Sequence, residues 1–165
     1  MLKTLTPFTI ENQFVDYPKP LTECPEIIPS EHYEAIKNAG GYLWPVGSRT
    51  IDGAAHDDSD YDFLVLSKDR IPDVFDKLGY GLLLGGIHYD PSEGRFNSWR
   101  LGFVNFIATD EIEFVKRFLV ANEAAKRMSL KSRNDRVTLF QAVLYHRVAD
   151  EPKASVLRGD ALDGE

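Results

Sequence analysis

The sequence predicts an α/β (α+β) fold: a mixed β-sheet flanked by helices, with a C-terminal helical hairpin. Three observations predict it. An apolar run of strand type, Phe63-Leu64-Val65-Leu66, is entered through two acids, Asp60 and Asp62. A second apolar run, Tyr42-Leu43-Trp44-Pro45-Val46, ends on Gly47-Ser48. Beyond residue 110, Phe114, Phe118, Ala121 and Ala125, then Val137, Phe140, Val143 and Leu144, recur at helical intervals behind capping-box spacings.

In chain order, residues 1–29 carry Pro7, Pro18, Pro20, Pro25 and Pro29 without sustained periodicity. They are expected to form an extended arm over the body, with one short strand at Phe8-Thr9-Ile10. Ser30 is placed as the N-cap of a short helix that Gly40-Gly41 stops. Residues 42–46, 60–66 and 101–108 are expected to be neighbouring strands, with Gly47-Ser48 at the Asp60/Asp62 end. Pro72 and Gly79 bracket a helix near 70–78. Leu82-Leu83-Leu84 suits a buried strand, and Asp90-Pro91-Ser92-Glu93-Gly94 is turn chemistry. Asp110 with Glu113, and Ser132 with Asp135, open the two C-terminal helices. The domain is read as residues 30–148, and residues 149–165 as an acidic, loose tail.

Composition narrows the function classes. A chain of 165 residues, 43% hydrophobic and 27% charged, suits one soluble globular domain. No apolar run approaches the ~18 residues of a membrane span, and the opening apolar stretch is too short for a secretory signal. The lone Cys24 excludes an internal disulfide, so a cytoplasmic protein with no membrane partner is expected. A formal net charge of −7 argues against broad, nonspecific nucleic-acid binding. The histidines show no ligand spacing, so no zinc is expected.

The chemistry concentrates at the first two strands. Strand side chains alternate faces, so Asp60 and Asp62 point the same way, roughly 7 Å apart. Such carboxylates repel unless a cation joins them or one takes a proton. Mg²⁺ suits them, with phosphate and water completing its oxygen shell. Glycine admits backbone close to a phosphate, and the Ser48 hydroxyl can hold one. Arg49 stands next to them as a phosphate ligand; its plainer reading is a surface ion pair with a nearby aspartate. The plainer reading of the whole stretch is an Asp-rich surface loop leading into an ordinary strand.

Gly47-Ser48, eleven residues, then Asp60-x-Asp62 leading into a hydrophobic strand resembles the signature of the nucleotidyltransferase superfamily, the polymerase β-like fold. The segment around Asn105 is also similar to small phage-encoded nucleotidyltransferase-like proteins, in which a Gly-acid-Val-Asn run occupies this place. The resemblance implies a nucleoside triphosphate substrate, Mg²⁺ or Mn²⁺ on Asp60 and Asp62, and phosphate binding by Gly47 and Ser48. It also implies the host cytoplasm if the chain is phage-encoded. A third acid in that superfamily faces the Asp-x-Asp pair from a neighbouring strand. By this comparison Phe103 stands where that acid would be, and Asn105 is retained as an accessory ligand. Asp90 and Glu93, or Asp57 and Asp58, are the substitutes to consider.

The function expected is transfer of a nucleotidyl group from a nucleoside triphosphate to an acceptor hydroxyl on RNA, protein or a small molecule. The alternative is a catalytically inactive module of that fold that binds nucleotide or a partner protein. Lys126, Arg127, Lys131, Arg133 and Arg136 are the one basic concentration, suited to phosphates or to a solvated helix end. Trp99 is read as core, with nucleobase stacking as its other reading.

Overall fold

The structure, a computed structural model, describes residues 10–83 and 94–145. Five strands form one mixed sheet in the order β1-β2-β5-β4-β3. They are β1 (Tyr42–Val46), β2 (Tyr61–Leu66), β3 (Gly81–Leu83), β4 (Asn97–Leu101) and β5 (Val104–Thr109). The β2/β5 pair is parallel, and the β1/β2, β4/β5 and β3/β4 pairs are antiparallel. The helices are α1 (Ile10–Gln13), α2 (Ser30–Asn38), α3 (Pro72–Lys77), α4 (Ile112–Arg127) and α5 (Arg133–Tyr145). The predicted α+β class and C-terminal helical pair are both present.

Alternation along the strands divides the core into two layers. Leu43, Phe63, Val65 and Phe106 face α2 and α3, where Ile36 and Phe75 are fully buried. Trp44, Val46, Leu64, Leu66 and Ile107 face α4 and α5. The α4–α5 pair closes on Phe118 and Phe140, edge-to-face at 4.8 Å. Truncating a ring buried this way costs about 3–5 kcal/mol. Asp62 precedes Leu64 by two residues and therefore emerges on the α4–α5 side, at the sheet end where those helices meet.

Several expectations are corrected. The predicted strand 101–108 is split by a two-residue turn, with Leu101 opposite Val104 and Gly102 at φ 61°. Glycine's freedom at positive φ lets the chain reverse there, and β4 and β5 form a hairpin. Leu82 and Leu83 lie on the edge strand and are exposed, not buried; Leu84 lies outside the described residues. Residues 10–29 are not wholly extended, because Ile10 begins the α1 turn; Phe8 and Thr9 lie outside the described residues. This segment covers the β1 edge through Leu21 N–H to Leu43 O (2.7 Å) and Trp44 Nε1–H to Pro18 O (2.8 Å). Such cover removes an open sheet edge.

Two predicted caps also differ. Pro29, not Ser30, is the residue before α2, and no side chain caps that helix. Asp110 does not cap α4; it pairs with Arg70 at 3.3 Å, and Glu111 takes the capping position. At α5 the expected contact is made, from Asp135 N–H to Ser132 Oγ at 3.4 Å. No helix among the described residues is long and apolar enough to cross a membrane.

Candidate functional site

A cleft of about 520 Å³ opens at the C-terminal side of β1 and the start of β2, beneath α5. Gly47, Ser48, Asp60, Asp62 and Asn105 line it, so the predicted pair of glycine-serine turn and double aspartate is brought together. Four cations, Arg100, Lys131, Arg133 and Arg136, line the same cleft. Carboxylates and cations therefore share one cavity of small-ligand size.

The turn after β1 is built around Gly47. Its backbone has φ 85° and ψ −166°, a region open to glycine and to little else. A β-carbon at this position would overlap the Asp62 carboxylate. Ser48–Thr50 then forms a single 3-10 turn, with Thr50 N–H and Oγ1–H both donating to Gly47 O. Asn122, buried in α4, fixes this turn from above. Its Oδ1 accepts the Gly47 N–H at 3.0 Å, and its Nδ2 donates to Thr50 Oγ1 at 3.1 Å.

Asp62 sits in register with Asn105 on β5, and Asn105 with Arg100 on β4. Three neighbouring strands thus present a carboxylate, an amide and a guanidinium in a row. Asn105 Nδ2 donates to Asp62 Oδ1 at 3.0 Å. Arg100 reaches past it to Asp60, Nη2 to Oδ1 at 2.9 Å. Burial raises the pKa of Asp62 to about 6, and the charge of Asp60 adds to this. The Asn105 hydrogen bond and the charges of Arg100 and Arg136 oppose the shift without cancelling it.

Phe103 does not occupy the place given to it from the sequence. It lies on the β4–β5 turn, 52% exposed, and is not among the residues lining the cleft. Its carbonyl accepts the Tyr61 N–H at 2.6 Å. The residue facing Asp62 from the neighbouring strand is Asn105. Arg49 is also placed elsewhere. Its Nη2 donates to Asp57 O and Ser59 O at 3.2 and 2.9 Å, and its guanidinium lies 4.3 Å from the Tyr61 ring centre. It ties down the loop before β2 and lines a separate, largely apolar cavity beside Tyr61 and Phe63. Trp99 is core, stacked on Phe75 at 5.7 Å. Asp58 lines the cleft from its loop, whereas Asp90 and Glu93 lie outside the described residues.

Sequence reasoning missed Asn122 and Arg100. A lone polar residue on the apolar stripe of α4, between Phe118 and Ala125, was the available signal for Asn122. Arg100 carried none, because its role depends on a hairpin turn that was not foreseen. Of the basic concentration, Lys131, Arg133 and Arg136 line the cleft, while Lys126 pairs with Glu123 at 3.3 Å.

The donor set suits a hard divalent cation. Asp60 and Asp62 supply carboxylate oxygens, and Asn105 Oδ1 is buried without a hydrogen-bond partner. Among the described residues no three His, Cys, Asp or Glu side chains gather into a metal cluster. Mg²⁺ does not require one, since it commonly takes one or two carboxylates plus water and substrate phosphate. No family model, curated protein or solved structure matches the chain.

Proposed function

We propose that the chain is a Mg²⁺- or Mn²⁺-dependent nucleotidyltransferase that moves a nucleotidyl group from a nucleoside triphosphate to an acceptor hydroxyl. The observation that carries this reading is the shared cleft, lined both by Ser48, Asp60, Asp62 and Asn105 and by Arg100, Lys131, Arg133 and Arg136. A triphosphate needs cations along its length, and its metal needs oxygen ligands beside it.

Asp60, Asp62 and Asn105 Oδ1 would hold the metal, while Ser48 and the basic wall bind and orient the phosphates. When bound, the metal offsets charge that develops on the phosphoryl oxygens. The acceptor oxygen bonds to the α-phosphorus as the bond from that phosphorus to the oxygen bridging it to the β-phosphate breaks, and pyrophosphate leaves. The carboxylates lining the described cleft are Asp58, Asp60 and Asp62, so the hydroxyl proton passes to one of them or to water. Cations placed on the pyrophosphate side favour its departure.

A second reading has its own support. Asn105 stands where a third carboxylate would face Asp62, and an amide cannot act as a base. That favours an inactive module that binds nucleotide without turnover. Incubation with each α-labelled triphosphate, Mg²⁺ or Mn²⁺ and a cell extract separates the two. The enzyme reading expects a labelled product that disappears in Asp62→Asn and Asp60→Asn. Tight metal-dependent binding with no labelled product supports the module, and absence of triphosphate binding overturns both.

A further inference from the structure

Arg100 and Asp60 form an ion pair inside the cleft, Nη2 to Oδ1 at 2.9 Å. Of the cations lining the cleft, Arg100 is the one within ion-pair distance of a cleft carboxylate, among the described residues. Its Nε also donates to Gly102 O at 3.1 Å, which anchors the guanidinium to the β4–β5 turn. Asp60 and Asp62 lie two residues apart at the strand entrance, so two like charges stand close together there. Arg100 supplies the positive charge that such a pair requires, and it does so on an oxygen a metal would use.

The contact is reversible by construction. The Arg100 side chain is 43% exposed and the Asp60 side chain 26%, although the Asp60 Oδ1 that Arg100 meets is itself buried. A guanidinium also matches phosphate as well as carboxylate, presenting a planar fork of donors to either. We infer that Arg100 is a positioning residue that couples metal to nucleotide: it holds Asp60 before substrate binds and transfers to a phosphate when triphosphate enters. Asp60 is thereby released as a metal ligand only when the substrate is present. This inference rests on the nucleotidyltransferase reading of the same cleft. Its consequence is that free divalent metal binds poorly and the metal–triphosphate complex binds well.

The test is a Mn²⁺ titration, following free Mn²⁺ by electron paramagnetic resonance, with and without a non-hydrolysable nucleoside triphosphate. Wild type, Arg100→Gln, Arg100→Lys and Arg127→Gln are compared, each checked for native circular dichroism. Arg127 is exposed at the end of α4 and serves as a control for net charge. Arg100→Gln is expected to bind Mn²⁺ alone about three- to tenfold more tightly, as a competing half-exposed ion pair is lost. Its added gain from triphosphate should shrink by a similar factor. Arg100→Lys, which keeps the charge, should stay within about twofold of wild type, and Arg127→Gln should match it. If wild type binds Mn²⁺–triphosphate while Arg100→Gln shows unchanged or weaker affinity for Mn²⁺ alone, the Arg100 inference fails and the nucleotidyltransferase reading stands. If wild type takes up no Mn²⁺–triphosphate, both fail.

Discussion

Gly47 is packed against the Asp62 carboxylate so closely that a single added β-carbon would overlap Asp62 Oδ2. Gly47 follows β1 and Asp62 lies on β2, and their contact places the glycine-serine turn beside the acid pair. Gly47→Ala strains the backbone at φ 85°, at a cost of about 1–3 kcal/mol. It also displaces Asp62. Urea unfolding should show the stability loss, and metal–triphosphate affinity should fall further than that loss explains.

Asn122 holds the same turn from α4 with both ends of its amide. Asn122→Leu leaves the part-buried Gly47 N–H and Thr50 Oγ1 short of a partner, a loss of about 1–3 kcal/mol. Denaturant titration checks this. Thr50→Val, which removes the contact with Asn122 and the hydroxyl's bond to Gly47 O, should cost a similar amount.

Much of this site was legible in the sequence because its parts are local. Gly47-Ser48 closing one apolar run and Asp60-x-Asp62 opening the next are short-range patterns, and strand alternation alone puts both acids on one face. What was hidden depends on pairing between distant segments. Asn105 faces Asp62 because β2 and β5 align in parallel register, and Arg100 reaches Asp60 because Gly102 reverses the chain. Phe103 was assigned to a strand face for want of that turn. Gly102 between two apolar-rich runs was the signal, since a glycine in a two-residue link is a hairpin cue. The capping prediction at Asp110 failed for a related reason: the side chain is taken by Arg70, forty residues earlier.

Asp62 gives a pH signature. Its pKa in the fold, about 6, lies above the ordinary value of 3.8, so the protonated form is the one folding favours. Its contribution to stability is fully present below pH ~4 and is lost as pH rises through about 6. At pH 7.5 the ionised carboxylate therefore costs the fold about 1–3 kcal/mol. Asp62→Asn, which can still accept the Asn105 hydrogen bond, should be more stable than wild type at pH 7.5 by that amount. The two should converge near pH 4. Thermal unfolding across this range, with equal stability at every pH, would remove the burial argument.

Arg49 and Lys131 should behave differently despite their shared charge. Lys131 lies on the basic wall over Gly53, so Lys131→Gln should weaken triphosphate binding several-fold, about 1 kcal/mol, and reduce its salt dependence. Arg49 is engaged with loop carbonyls, so Arg49→Gln should lower thermal stability while leaving that salt dependence unchanged. Fluorescence titration of a labelled triphosphate at two ionic strengths reads both.

The central claim is that one cleft holds metal and triphosphate together. Isothermal calorimetry of each nucleoside triphosphate, with and without Mg²⁺, tests it most directly when wild type is set beside Asp62→Asn. The account predicts that Mg²⁺ strengthens triphosphate binding to wild type at least about tenfold, since Asp60, Asp62 and the phosphates would all supply oxygen ligands to it. Asp62→Asn should lose most of that enhancement while still binding triphosphate weakly on the basic wall. Triphosphate affinity that ignores Mg²⁺, or an enhancement that survives intact in Asp62→Asn, would contradict the account.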